Sequence, residues 1–234
     1  MSPPEPTGGP ASPPGGTRAR VGGRASSRYG WFVGLVALLL FALITVNTIE
    51  TTPNGSSGIA PGHTIPSFAV PLALSSLQGD ANVATRAHQG AAGNVPACSI
   101  HSAEVLNVCA MYDRGPLVLV LFVNGGSCPD VLDELERLAP SFPGLQIAAV
   151  EIRGSRSALR SLVRRRGLTF PVGYDDDGIL VSLYKDTSCP QITFTYPGGT
   201  VAEPALLHQP TFATLRARVD ELVIASRRRA AMAS

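Results

Sequence analysis

The chain has 234 residues, a formal net charge of +2 and an apolar fraction of 44%. This length allows one globular domain with additional segments, and the small net charge argues against a nucleic-acid-binding protein. Residues 1–28 hold much of the chain's excess of glycine and proline, and such a composition cannot bury enough apolar surface to compensate for ordering the chain. We therefore predict that residues 1–28 form a disordered tail.

The next segment, Tyr29–Ile49, is an apolar run with no charged residue between Arg28 and Glu50. As a helix it would be about 31 Å long, which matches the hydrocarbon core of a bilayer. Arginines precede it and Glu50 follows, so the positive-inside rule predicts a cytoplasmic N-terminus and an extracytoplasmic C-terminal domain. A cleaved signal peptide is the alternative, but its apolar region should be shorter and end in an A-x-A-like site. We predict a retained, single-pass transmembrane helix.

The following segments are predicted to be a linker and the start of a globular domain. Residues 50–62 are rich in Thr, Ser, Pro and Gly, as flexible linkers are, and the domain is placed at residues 63–226. The string PSFAVPLAL predicts a short edge strand. Residues 78–96 are weakly patterned and predict a long loop. Residues 98–110 are compatible with two short strands or with a turn and one short helix.

A strand–helix–strand unit is predicted next. PLVLVLFV is typical of a strand buried on both faces. Pro129 suits the first position of a helix that continues through DVLDELERLA. LQIAAVEI predicts another buried strand, and Ser155–Arg166 predicts an amphipathic helix that Gly167 ends. A buried strand that returns through a helix to a second buried strand indicates parallel pairing.

The C-terminal elements complete an α/β domain. Asp175–Asp177 predict a polar turn rather than a cation site, and Leu180–Tyr184 predict a short helix. QITFTY and a strand around TVAE are joined by the hairpin turn Pro197–Gly199. Thr211–Ala225 predict a final amphipathic helix, and residues 227–234 a basic C-terminal tail. This order predicts a mixed sheet with helices on both faces.

Three strings and their order resemble the thioredoxin-like superfamily, especially the membrane-anchored thioredoxin or redoxin domains of bacteria. LVLVLFVNGGSCPDVLDEL is similar to the family's central strand, active-site turn and following helix. GLTFPVGYDDDGILVSLYKD is similar to the segment before the cis-proline loop, and SCPQITFTYPGGTV to that loop with its strand and turn. The resemblance covers approximately Thr64–Val223. It implies a thioredoxin-like sheet flanked by helices, in a domain held outside the bacterial cell membrane.

By this resemblance, Cys128 takes the place of the family's nucleophilic cysteine at a helix N-terminus. Backbone N–H groups and the helix dipole there favour the thiolate, which is the attacking form. The family's second cysteine is replaced by Val131, so the C-x-x-C pair is incomplete. Peroxidase chemistry of the peroxiredoxin kind is also unsupported, because Gly125 stands where those enzymes have threonine.

The resemblance also supplies a partner for Cys128. Cys189 directly precedes Pro190, which matches the cis-proline that shapes the family's substrate groove. Because that loop lies against the nucleophile, the resemblance implies that Cys128 and Cys189 are neighbours. Three arrangements remain open: a reversible active-site disulfide in which Cys189 resolves Cys128, a permanent structural bridge, or a shared metal that would need further ligands.

Four cysteines in an oxidising compartment allow three disulfide pairings. Because the resemblance makes Cys128 and Cys189 neighbours, we favour a structural disulfide between the remaining two, Cys98 and Cys109. No cofactor or metal ion is expected, because the histidines lack metal-ligand spacing. Two functions follow. One is a membrane-anchored thiol–disulfide oxidoreductase that acts on protein thiols or disulfides outside the membrane, in cell redox homeostasis. The alternative is a non-catalytic thioredoxin-fold binding module whose cysteines only stabilise the fold.

Overall fold

A computed structural model of the protein describes residues 30–41, 58–186 and 188–233. Helix α1 covers residues 30–41, inside the predicted transmembrane segment. The rest of that segment, the predicted tail at residues 1–28 and the linker up to residue 57 lie outside the described residues. Among the described helices, none is both long and apolar enough to cross a membrane.

The chain divides into two units, Met1–Asn54 and Gly55–Ser234. The second unit contains six strands and five α-helices in the described residues, besides short 3-10 turns. In chain order these are β1 (Ala69–Pro71), β2 (Val105–Asn107), α2 (Val108–Arg114), β3 (Leu117–Phe122), α3 (Asp130–Leu138), β4 (Gln146–Ile152), α4 (Arg156–Arg166), β5 (Val172–Asp175), α5 (Ile179–Tyr184), β6 (Gln191–Thr195) and α6 (Phe212–Ala233).

The main sheet has four strands in the order β5-β4-β3-β6. β4 pairs in parallel with both β3 and β5, and β6 pairs antiparallel to β3. The predicted strand–helix–strand unit and the mixed sheet are therefore confirmed. A separate antiparallel pair, β1 and β2, lies beside this sheet, and Leu72 forms a bridge to Gly173 in β5.

Two apolar cores flank β3 because successive side chains of a strand point to opposite faces. Val118, Val120 and Phe122 pack with α3, α4 and α6. Leu117, Leu119 and Leu121 pack on the other face with α2, α5 and the β1–β2 pair. A strand that is buried on both faces needs apolar residues at every position, which explains the uninterrupted run LVLVLF.

Three predicted elements differ from the structure in detail. The second strand of the C-terminal hairpin is reduced to a bridge between Thr195 and Val201. Pro204 follows shortly and has no backbone N–H with which to continue the pairing. Residues 98–110 contain both a strand and a helix, β2 followed directly by α2. Helix α6 continues through the basic residues to Ala233, because arginine and alanine are good helix formers.

Candidate redox site at the end of the central strand

The loop between β3 and α3 places Cys128 at the start of a helix. Pro129 lies directly before the first helical residue, one position earlier than predicted, and Cys128 precedes it. Gly126 adopts a positive φ of 55°, which a glycine tolerates without strain and which lets the loop turn. Cys128 is 6% exposed, and Val131, at the position of the missing second cysteine, is fully buried in the core.

Cys189 lies on the loop before β6 and forms a disulfide with Cys128 across 61 residues of sequence. The two Cα atoms are 5.4 Å apart. The Val123 backbone N–H donates a hydrogen bond of 3.2 Å to the Cys189 Sγ, and Cys189 is exposed. The bond between Cys189 and Pro190 is cis. The structure therefore brings together the three residues that the resemblance placed in one site.

A second disulfide joins Cys98 to Cys109, with Cα atoms 5.4 Å apart. Asn107, which the sequence analysis did not single out, holds the two ends of this loop together. Its side-chain amide donates to the carbonyls of Ala97 and Ile100, at 3.0 and 2.8 Å. Its Oδ1 accepts from the Cys109 N–H at 2.9 Å and caps α2. The signal for this role was an asparagine directly before a short helical string.

Glu151 is a buried carboxyl that no sequence pattern marked. It lies beside the loop between β3 and α3, here called the redox loop. It is 1% exposed and lies opposite Phe122 in the register of β3 and β4. Burial raises the pKa of Glu151 from 4.5 to about 7, although a hydrogen bond from the Asn124 backbone opposes this shift. Its Oε2 has no hydrogen-bond partner among the described residues. Glu151 thus contacts the loop residue that follows Val123, the donor to Cys189.

Three carboxylates lie close together at the turn after β5. They belong to Asp175 and Asp177 of that turn and to Asp80 of an earlier loop, and their oxygens are within 4.8 Å of one another. These oxygens accept hydrogen bonds from backbone N–H groups. Asp175 binds Gly178 and Leu180 at the start of α5, and Asp80 binds the two residues after Asp175. Burial raises the pKa of Asp175 to about 6, against the hydrogen bond from Leu180. The carboxylates of Asp80 and Asp175 therefore stabilise the backbone of this turn by accepting hydrogen bonds from its N–H groups.

Comparisons with known proteins bear on the fold. No protein-family model and no curated protein matches the chain. A candidate thiol:disulfide interchange protein DsbE from Chlorobium tepidum superposes with a TM-score of 0.52 at 14% identity, over 72% of this chain and 98% of that chain. A candidate protein disulfide isomerase from Bacteroides thetaiotaomicron gives 0.51 at 13% identity, over 72% and 94%.

A third similar structure is the C-terminal domain of a candidate thiol-disulfide oxidoreductase from Bacteroides thetaiotaomicron. Its TM-score is 0.51 at 12% identity, over 73% of this chain and 99% of that domain. At such low identity the likeness concerns the fold alone. The chain therefore has a thioredoxin-like fold, which confirms the resemblance drawn from its sequence.

Proposed function

We propose that this protein is a thiol–disulfide oxidoreductase whose reacting group is the Cys128–Cys189 disulfide. The observation that carries the proposal is the position of this bond. One sulfur lies at the N-terminus of α3, the other lies before the cis-proline Pro190, and Cys189 is exposed. Two of the similar solved structures are described as a candidate thiol:disulfide interchange protein and a candidate thiol-disulfide oxidoreductase, which supports the same chemistry here.

The difference in exposure supports an order of attack. An incoming substrate thiolate attacks the Sγ of Cys189, because Cys128 is 6% exposed. The new bond is a mixed disulfide between substrate and Cys189. The Cys128–Cys189 bond breaks, and its electron pair leaves on the Cys128 sulfur. A second substrate thiolate then attacks the substrate sulfur of the mixed disulfide, and Cys189 leaves as a thiolate. Two electrons pass from the substrate dithiol to the protein.

Both leaving sulfurs have groups that stabilise negative charge. The Cys128 thiolate would form at the N-terminus of α3, where the helix dipole favours an anion. The Cys189 thiolate would keep the hydrogen bond from the Val123 N–H. Glu151 acts as a positioning residue, because its carboxyl contacts Asn124 in the loop that carries this donor. The resemblance implies that Cys128 is the nucleophile, whereas the exposure of the two residues favours attack at Cys189.

The first test is a redox titration of the full chain in non-ionic detergent. The protein is equilibrated in glutathione buffers, quenched with acid and alkylated, and the state of each cysteine is mapped by mass spectrometry. We expect Cys128 and Cys189 to become reduced together while far-ultraviolet circular dichroism shows a folded chain. A bond that opens only when the chain unfolds, with no exchange on a disulfide substrate, would rule out the oxidoreductase.

The second test compares two variants, Cys128→Ser and Cys189→Ser, that lose the same disulfide and are therefore matched controls for each other. Each retains one thiol of the pair. With glutathione disulfide, Cys128→Ser should form a mixed disulfide at Cys189 at least about tenfold faster than Cys189→Ser forms one at Cys128, because exposure limits the attack. Equal rates, or a faster reaction at Cys128, would contradict the proposed order.

We also infer that the domain is anchored in a cell membrane with its redox site on the extracytoplasmic side. The charge-free run between Arg28 and Glu50 and the arginines before it support this. Large apolar side chains of α1, including Trp31 and Phe41, are exposed. Membranes from expressing bacteria should retain the chain after alkaline carbonate extraction, and external protease should digest the domain in spheroplasts. Release of a shortened soluble chain would instead indicate a cleaved signal peptide.

A non-catalytic binding module remains the second candidate. It is favoured by the burial of Cys128 and by the apolar Val131, which removes the usual resolving thiol. In that case the cysteines stabilise a groove beside Pro190 that binds an extended chain. The redox titration separates the two functions, because a structural disulfide resists reduction in the folded protein.

A further inference from the structure

We propose that Arg166 is a positioning residue of the redox site, which binds two carboxylates at the start of α3 and offsets their charge. Without it, these carboxylates would disfavour a thiolate at Cys128. The role rests on the proposed function, because it concerns the sulfur on which the electron pair leaves when the Cys128–Cys189 bond breaks.

The contacts of Arg166 join two helices. Arg166 is the last residue of α4, and it reaches the first turn of α3. Its Nη2 lies 2.8 Å from the Oδ1 of Asp130, and its Nη1 donates to the Oδ2 of Asp133. The neighbouring Arg164 and Arg165 are exposed and form no ion pair with any residue that the structure describes. Two carboxylates hold the Arg166 side chain, which is 23% exposed, so this charge has a fixed position.

Both carboxylates lie near Cys128 along the chain. Asp130 is two residues after Cys128, so their Cα atoms are at most about 7 Å apart. Asp133 is three residues further, about 4.5 Å along the axis of α3. Acidic residues suit the first turn of a helix, but here their charges repel an anion on the Cys128 sulfur. The screening length is about 8 Å at physiological ionic strength, so this repulsion is only partly screened.

Arg166 reduces the negative charge that a Cys128 thiolate meets. With Arg166 in place, its side chain and the two carboxylates carry one net negative charge instead of two. Two other carboxyls near the disulfide, Glu151 of β4 and Asp186 in the loop before β6, have pKa values that burial raises. The remaining charged side chains of α3 form contacts further along the helix: Glu134 with Arg137, Glu136 with Thr169, and Arg137 with the Phe212 ring of α6.

The experiment titrates the Cys128 thiol in the full chain with Cys189→Ser, in non-ionic detergent, by the ultraviolet absorbance of the thiolate. Arg166→Gln should raise the pKa of Cys128 by about 0.5, because one more negative charge is then left without a partner. Asp130→Asn should lower this pKa by about as much, for the opposite reason. Arg166→Lys keeps the charge and should leave it unchanged. Arg165→Gln is the matched control, because it removes the same charge at the next position.

The opposite signs separate an electrostatic role from a structural one. A purely structural ion pair is lost in the same way whichever partner is replaced. The proposal is therefore overturned if Arg166→Gln and Asp130→Asn shift the pKa of Cys128 in the same direction. It is also overturned if Arg166→Gln has no effect, or if Arg165→Gln has an equal one. Circular dichroism of each variant shows that the chain is folded.

The glutathione titration of chains that keep both cysteines is a second readout. Arg166→Gln should favour the Cys128–Cys189 disulfide by about threefold, the factor that corresponds to 0.5 in pKa. If the wild-type disulfide resists reduction in the folded chain, the proposed function fails, while the thiol titration still measures the effect of Arg166. If the wild type is reduced and Arg166→Gln changes neither measurement, only the role of Arg166 is refuted.

Discussion

At the scale of single residues, Glu151 makes the stability of the fold depend on pH. Burial raises its pKa from 4.5 to about 7, so the folded state holds a proton that the unfolded state releases. The contribution of Glu151 to the free energy of unfolding is therefore fully present below pH 4.5 and is lost as the pH rises toward 7. Glu151→Gln should remove this loss and be up to about 3 kcal/mol more stable than the wild type at pH 8.

Urea unfolding of the full chain at pH 5 and pH 8 measures this difference. Asp175 also has a raised pKa, but it is present in both chains, so its contribution cancels in the comparison. Asp220→Asn, at a half-exposed position on α6, is the control and should leave the pH dependence unchanged. The assignment to Glu151 fails if the Glu151→Gln variant loses stability with pH as steeply as the wild type.

Asn107 stabilises the fold through several side-chain hydrogen bonds at once. Asn107→Ala would remove the cap of α2 and the side-chain donor to the carbonyls of Cys98 and Ile100. We expect a loss of about 2–4 kcal/mol in the free energy of unfolding. Asn107→Asp keeps the capping acceptor but turns a carboxylate oxygen toward the same carbonyl oxygens, so it should not restore the lost stability. Chemical denaturation measures both, with Asn94→Ala as the exposed control in the preceding loop; an effect no larger than that control would contradict the prediction.

At the scale of elements, Gly173 sets how closely the β1–β2 pair packs on the main sheet. A Cβ at Gly173 would overlap side-chain atoms of Val70 in β1 and crowd Leu106 in β2. Gly173→Ala should therefore push the pair away from β5 and lower the free energy of unfolding by about 1–3 kcal/mol. Gly125→Ala is the control, because a Cβ there meets no atom within 4 Å.

Thermal unfolding and hydrogen exchange together measure this effect. Amides of β1 and β2 should exchange faster in Gly173→Ala, while those of β3 and β4 keep their protection relative to the global unfolding limit. Uniform loss of protection over all strands would show that the β1–β2 pair is not a separate packing unit.

The order of elements was predictable because it depends on local pattern. The uninterrupted apolar runs predicted β3 and β4, and the apolar stripe after Pro129 predicted α3. The weaker segments were less predictable. Residues 98–110 form both a strand and a helix, because Asn107 ends β2 and caps α2 at the same position. Helix α6 is longer than predicted, since the run of arginines after Ser226 continues the helix instead of ending it.

At the scale of the whole molecule, the two disulfides should have separable effects. Replacing Cys98 and Cys109 together by alanine opens a loop with a sequence separation of 11 residues. The free energy of unfolding should fall by about 3 kcal/mol, because the unfolded chain regains the entropy of the open loop. The redox titration of Cys128 and Cys189 should be unchanged. Denaturant unfolding and the mass-spectrometric cysteine map test both parts, and a shifted titration would show that the two disulfides are coupled.

The sequence by itself determined the α/β class, the strand–helix–strand unit, the loss of the C-x-x-C pair at Val131 and the resemblance that named Cys128, Cys189 and Pro190. These features lie in short strings whose pattern is local. Only the tertiary structure decided that Cys189 is exposed while Cys128 is buried, and that Glu151 is buried beside the redox loop with a raised pKa. Exposure and pKa depend on which distant segments cover a residue. Cys128, Cys189 and Glu151 follow, precede or lie in β3, β6 and β4, which are separate in sequence and neighbours in the sheet.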